Sequence, residues 1–157
     1  MENKIIDCSD KFGHYYEEFE IGSIFKHWPG KTITESDNNM FSLLTMNHHP
    51  VHLDTKYCES HQHGKILVVG TLVFSVVVGM TVSEISGKAI ANLQYESVNH
   101  VAPVFIGDTI YAETEVLDKR PSKSKSDRGI VYVETKAYNQ DNIHILTFRR
   151  KVLIPKK

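Results

Sequence analysis

The longest apolar stretch of the chain runs from Ile66 to Val82, broken only by the small or hydroxylated residues Gly70, Thr71, Ser75, Gly79 and Thr81. Its many valines would suit a buried strand as well as a buried helix, and periodicity cannot separate the two in a run this apolar. Length decides for a helix, because strands seldom pass about ten residues. The helix is expected from Gly70 to Val82 and, being apolar on every side, is expected to be buried on every side. The run is slightly short for a membrane span and stands alone in a chain otherwise patterned as soluble sheet, so no membrane association is expected.

Upstream, Thr34 and Asp37 have the spacing of a helix cap in which a hydroxyl and a carboxylate each satisfy a free backbone N–H. In the helix that should follow, Met40, Phe41, Leu43 and Leu44 read as the apolar face and Asn38, Asn39 and Ser42 as the polar one, ending before Pro50. Asn47 to Pro50 is then an exit loop, Asp54 to Glu59 a second short helix, and His61-Gln62-His63-Gly64 the turn into the apolar run. The C-terminal half is strand-like over Ala89 to Val101, Thr109 to Lys119, Gly129 to Asn139 and His144 to Ile154. Breaks at Pro103 to Asp108, Pro121 to Arg128 and Asn139 to Asn142 let consecutive strands pair antiparallel.

Composition narrows the partners. The 157 residues, 17.9 kDa, 41% hydrophobic and 24% charged, suit a single globular domain over residues 1–157. A net charge of −1 gives no field for wrapping nucleic acid, which leaves a small molecule as the expected partner. The segment Met1 to Asp7 is too polar for a signal peptide, and Cys8 and Cys58 form no spaced disulfide framework, so a reducing cytoplasm is expected.

Candidate chemistry lies in Asn47-His48-His49-Pro50-Val51-His52-Leu53-Asp54 and in Gly70, eighteen positions after His52. An imidazole moves protons near neutral pH, so His52 is a candidate base. Gly70 lets a backbone N–H approach a substrate carbonyl, and at the start of a helix that N–H sits at the positive end. A base and an oxyanion hole are what hydration of an enoyl thioester needs. Water adds to C3, a proton goes to C2, and the thioester oxygen gathers charge in between. Asn47 would orient the water, since an amide exchanges hydrogen bonds but shuttles no proton. His52 would then return the proton to C2, or a distal carboxylate on the substrate would assist.

One long helix followed by four long antiparallel strands resembles the hotdog fold, an α+β architecture in which the sheet wraps a central helix. Residues Ile33 to Met80 resemble the MaoC-type hydratase domain, whose motif reads Gly-Asp-x-Asn-Pro-x-His and is followed by a glycine opening the helix. Here the motif falls on Met46 to His52 and then Gly70, with Asn47 in place of the aspartate, Met46 of the glycine and His49 of the asparagine. Pro103-Val104 and Gly107-Asp108 also resemble the family. Leu43-Leu44-Thr45-Met46-Asn47, Gly13-His14-Tyr15-Tyr16-Glu17 and Phe148-Arg149-Arg150 are similar to a branch related to mesaconyl-CoA hydratases and β-methylmalyl-CoA dehydratases. The resemblance implies an acyl-CoA hydratase or dehydratase, with Asn47, His52 and Gly70 as the catalytic set. Coenzyme A would enter only as part of the substrate, and the chain is expected to form a homodimer that covers the exposed sheet edge.

The basic stretch Lys119 to Arg128 carries Lys119, Arg120, Lys123 and Lys125, candidates for the phosphates of coenzyme A. His48, His49, His52, His61 and His63 match no standard zinc spacing, and no metal is expected. Two other readings stay open. A hotdog thioesterase would attack the carbonyl with help from Asp37 or Asp54, and an inactive acyl-CoA-binding protein would follow if Asn47 marks lost catalysis.

Overall fold

The computed structural model describes residues 4–157. Among these residues, six strands and three α-helices run in the order β1 (Ile24–Lys26), β2 (Lys31–Thr32), α1 (Glu35–Leu44), α2 (Thr55–Glu59), α3 (Gly70–Met80), β3 (Ala91–His100), β4 (Thr109–Pro121), β5 (Arg128–Tyr138) and β6 (His144–Pro155). The sheet has the order β1-β4-β5-β6-β3, antiparallel throughout, with β2 also on β4. The meander β4-β5-β6 follows the expected pairing of consecutive strands. β3 does not, because it crosses to the free edge of β6 while the outer edge of β4 is taken by β1 and β2. Those two strands, three and two residues long, are too short for alternation to register.

The apolar run does form a helix, and α3 begins at Gly70. It ends at Met80 and passes into a single π turn, Val82–Ser86. Leu72, Val73 and Val77 belong to one buried cluster with Ile110 of β4, Ala137 of β5 and Phe148 of β6. The expectation of burial on every side is corrected, since Thr71, Ser75 and Gly79 lie on an exposed strip of the protomer. Spaced by four residues, they fall on one helical face, and it is the face the sheet does not reach.

The polarity expected of α1 is inverted except at Phe41, which packs against the core. Met40, Leu43 and Leu44 are 70%, 64% and 80% exposed, while Asn38 and Ser42 are fully buried. The cap is as expected: the Asp37 N–H donates to Thr34 Oγ1, and Asp37 Oδ2 accepts from the Thr34 N–H at 2.8 Å. With Lys31 Nζ at 2.7 Å as the strongest influence, the Asp37 carboxyl titrates at about 2. What overrides the hydrophobic pattern is the bonding of Asn38, described below.

The remaining branch-like segments serve the fold. Phe148 is in the core, Arg149 donates to Glu134 at 2.7 Å, and buried Arg150 reaches Thr81 Oγ1 at 2.6 Å just beyond α3. Gly13, at φ 80°, packs so closely on Lys88 that a Cβ there would lie 2.4 Å from the Lys88 nitrogen. Its neighbour Tyr16 covers Gly129. No helix among the described residues is long and apolar enough to cross a membrane.

Candidate active site

His52 ends a 3-10 turn, Pro50–His52, which a proline opens well because no N–H is needed there. Before it, Met46 takes a φ of 60° and reverses the chain out of α1. The His52 Nδ1 lies 2.6 Å from the carbonyl oxygen of Leu67. A carbonyl only accepts, so Nδ1 carries the proton, and in the neutral ring Nε2 is left with its lone pair. The local fold therefore selects the tautomer a general base requires.

Gly70 is the first residue of α3, and neither its N–H nor that of Thr71 meets an acceptor among the described residues. The amides on either side are used: Val69 N–H donates to Asn38 Oδ1 at 3.0 Å, and Leu72 N–H to the Val69 carbonyl at 3.0 Å. Two free donors at the positive end of an eleven-residue helix make an anion-stabilising pair. Asn38 ties this end to the His52 turn, since its Nδ2 donates to the His52 carbonyl at 2.8 Å. One buried amide thus spans the His52 turn and the residue preceding Gly70. That explains why α1 turns Asn38 inward and leaves leucines outside: a buried amide is stable only when both its ends are bonded.

A cleft of about 390 Å³ opens at this point, lined by Leu67, Gly70, Val73, His63, His100 and Pro103 among others. His52 is not among its lining residues and is linked to it by the bond from its ring to the carbonyl of Leu67. A larger hollow of about 500 Å³ beside β1 and β4 is lined by Lys26, Tyr111, Tyr138 and Asn142 among others, and does not include the free helix amides. Asn47 is half-buried, does not line the cleft of a single protomer, and accepts only a 3.4 Å contact from the His49 N–H.

The other candidates are dispersed. Pro121 pairs with Gly129 and Gly129 with Ile154, whereas His100 beside the cleft pairs with Leu146, Leu146 with Ala137 and Ala137 with Ala112. The basic turn carrying Lys123 and Lys125 is therefore about 30 Å from the cleft along its own sheet, at about 3.3 Å per residue. Lys119 Nζ is engaged with the Tyr16 carbonyl at 3.2 Å, while Arg120 is exposed. Asp37 caps α1 as above, and Asp54 caps α2 by accepting from the Tyr57 N–H at 2.9 Å, so both carboxylates already have structural partners. Cys58 is buried and Cys8 exposed. Among the described residues, no three His, Cys, Asp or Glu side chains converge on a point that could hold a metal.

Sequence reasoning passed over Asn38 and His100. Asn38 read as the polar side of an amphipathic helix, and no local signal separates a clip from a solvated amide. His100 ends a strand thirty residues after Gly70, and only the fold brings the two together. A Cβ on Gly70 would lie 3.1 Å from His100 Cε1 and 3.2 Å from its Nε2. Gly70→Ala should therefore leave the melting temperature nearly unchanged, because the exposed ring can move aside, yet lower turnover by narrowing the approach to the helix amides. A thermal melt beside an activity assay checks this.

The MaoC like domain model matches residues 18–139. The chain is 32% identical over 145 residues to β-methylmalyl-CoA dehydratase of Chloroflexus aurantiacus, covering 92% of this chain and 41% of that protein. To mesaconyl-CoA hydratase of Cereibacter sphaeroides it is 28% identical, with 92% of this chain and 42% of that protein covered. The chain thus spans less than half the length of these relatives. Among solved structures, an Archaeoglobus protein described as a monoamine oxidase regulatory protein superimposes with a TM-score of 0.82 at 31% identity, covering 94% of this chain and 98% of that one. A double-hotdog protein of Mycobacterium tuberculosis gives 0.83 at 23% identity over 97% of this chain and 46% of that one, which supports the fold alone. Helix, sheet order and matched residues agree: the chain belongs to the MaoC-like domain family and has the hotdog fold.

Proposed function

We propose that this domain adds water to, or removes it from, a coenzyme A thioester across the C2–C3 bond, with His52 as base and the Gly70 N–H holding the enolate oxygen. The observation that carries this reading is the 2.6 Å bond from His52 Nδ1 to the carbonyl of Leu67, a residue of the cleft wall, which leaves the Nε2 lone pair unprotonated in the neutral ring. In hydration, Nε2 takes a proton from water as its oxygen bonds to C3. The C2–C3 π pair moves toward C1, and charge accumulates on the thioester oxygen. Collapse of the enolate returns a proton to C2. The dehydratase and hydratase relatives support this reaction class, and their names favour a branched or dicarboxylic acyl group. The two carboxylates a thioesterase would use are engaged in helix caps, which disfavours hydrolysis.

Asn47 is proposed to orient the water once the site is assembled. Asn47→Ala should then lower kcat with little change in KM, the sign of an interaction used mainly in the transition state. Asn47→Asp should shift preference from mesaconyl-CoA toward crotonyl-CoA, because a carboxylate repels a substrate carrying its own. An unchanged ratio would remove the argument for substrate assistance.

Dimerisation through β3 would complete the ligand channel. Along and beside this edge strand, Ile90, Leu93, Tyr95, Val98 and Val101 are 40–52% exposed, next to the open strip of α3. A twofold pairing of β3 edges is antiparallel, so it brings the basic-turn end of one sheet beside the cleft end of the other. Lys119, Arg120, Lys123 and Lys125 are thus proposed to hold coenzyme A phosphates in the partner's site. Sedimentation at micromolar concentration should give a dimer, and Leu93→Asp with Val98→Asp a monomer. A monomeric wild type would contradict this arrangement.

A further inference from the structure

We infer that His100 is a second donor to the substrate's thioester oxygen, completing an oxyanion hole with the Gly70 N–H; this rests on the reaction class proposed above. The two groups come from separate elements. Gly70 opens α3, and His100 closes β3, where it is fixed by its register with Leu146 and by the Val101 N–H donating to the Ile145 carbonyl at 2.8 Å. Both line the same cleft. The ring nitrogens of His100, a residue of the cleft lining, have no hydrogen-bond partner among the described residues, so Nε2 can donate to a ligand as the imidazolium or as the Nε2–H tautomer.

The spacing suits one shared oxygen. His100 Nε2 lies 3.2 Å from the position of a Gly70 Cβ. A Cβ lies about 2.5 Å from its own amide nitrogen, so the Gly70 nitrogen and His100 Nε2 are at most about 5.7 Å apart. An oxygen placed about 2.9 Å from each spans that separation. The glycine is what permits this approach, because a Cβ at position 70 would press on the ring. With the thioester oxygen at the helix amide, as the proposed reaction places it, His100 Nε2 lies within reach of the atom where charge develops. His100 donates a hydrogen bond and keeps its proton; the proton for C2 comes from His52.

The test compares wild type, His100→Leu and His100→Gln as the full chain, with crotonyl-CoA and mesaconyl-CoA as substrates. A dimethylaminocinnamoyl-CoA probe, whose absorption moves to the red when its carbonyl is polarised, supplies a readout that mere structural support would not alter. His100→Leu should lower kcat about a hundredfold with little change in KM, the usual cost of one lost oxyanion donor. It should also abolish most of the probe's red shift. His100→Gln, which keeps an N–H, should recover about tenfold of the lost kcat and part of the shift. Wild-type turnover with His100→Leu within about twofold of it would overturn the inference while leaving the reaction class intact. Equal losses in both variants with an undiminished red shift would also overturn it. A wild type that turns over neither substrate and does not shift the probe would overturn the reaction class and this inference together.

Discussion

His52→Ala is expected to lower hydration of an enoyl-CoA by about a hundredfold to ten-thousandfold, the usual effect of removing a general acid–base group. The fold should survive. The imidazole makes one side-chain hydrogen bond, to the Leu67 carbonyl, and His52 still holds its turn through its backbone N–H to His49 and its carbonyl to Asn38. Losing that one bond costs about 0.5–1.5 kcal/mol. His49→Ala should do much less to turnover, because the His49 ring accepts from the Val51 N–H and acts as a cap. His48→Ala should likewise have little effect, since that residue is exposed. Purified variants with unchanged circular dichroism, assayed on the same substrates, separate these effects. Equal losses at all three histidines would point to a joint role and away from a single base.

Asn38→Ala is expected to cost about 2–6 kcal/mol of stability, because it strands the Val69 N–H and the His52 carbonyl, at about 1–3 kcal/mol for each group left unbonded. Activity should fall as well, even at a temperature where the variant stays folded, since the clip sets the His52 turn against the start of α3. Asn38→Asp is the sharper variant. Its carboxylate can still accept from Val69, but it faces the His52 carbonyl with no donor and is buried without a cation. It should be at least as destabilised as the alanine variant. Denaturant unfolding measures the first effect and kcat the second. Full stability in Asn38→Ala would mean that water replaces the amide and that Asn38 does not position the site.

Much of the fold was legible in the sequence because the elements that carry it are long. The apolar run had one reading by length, and the three strands from Thr109 onward are bounded by clear breaks. The placement of β3 was not legible, since strand partnership depends on which edges remain free, and β1 and β2 are too short to declare that they occupy one. The inverted face of α1 shows the limit of hydrophobic patterning. Asn38 is buried for its hydrogen bonds, and a leucine at 64% exposure is tolerated across from it. The candidates His52 and Gly70 rest on spacing, which local sequence retains. His100 was invisible because its meaning lies only in its distance from Gly70, and the 30 Å between the basic turn and the cleft could not be read before the strand register was known.

If His52 and the open end of α3 carry out addition or loss of water, the thioester stays intact. The most direct measurement follows crotonyl-CoA and mesaconyl-CoA with wild type and His52→Ala, recording the conjugated enoyl absorbance and free thiol in the same reaction. Wild type should give loss of enoyl absorbance with no thiol released, and His52→Ala almost none of that loss. Release of free thiol by wild type, or enoyl turnover that survives in His52→Ala, would contradict this chemistry.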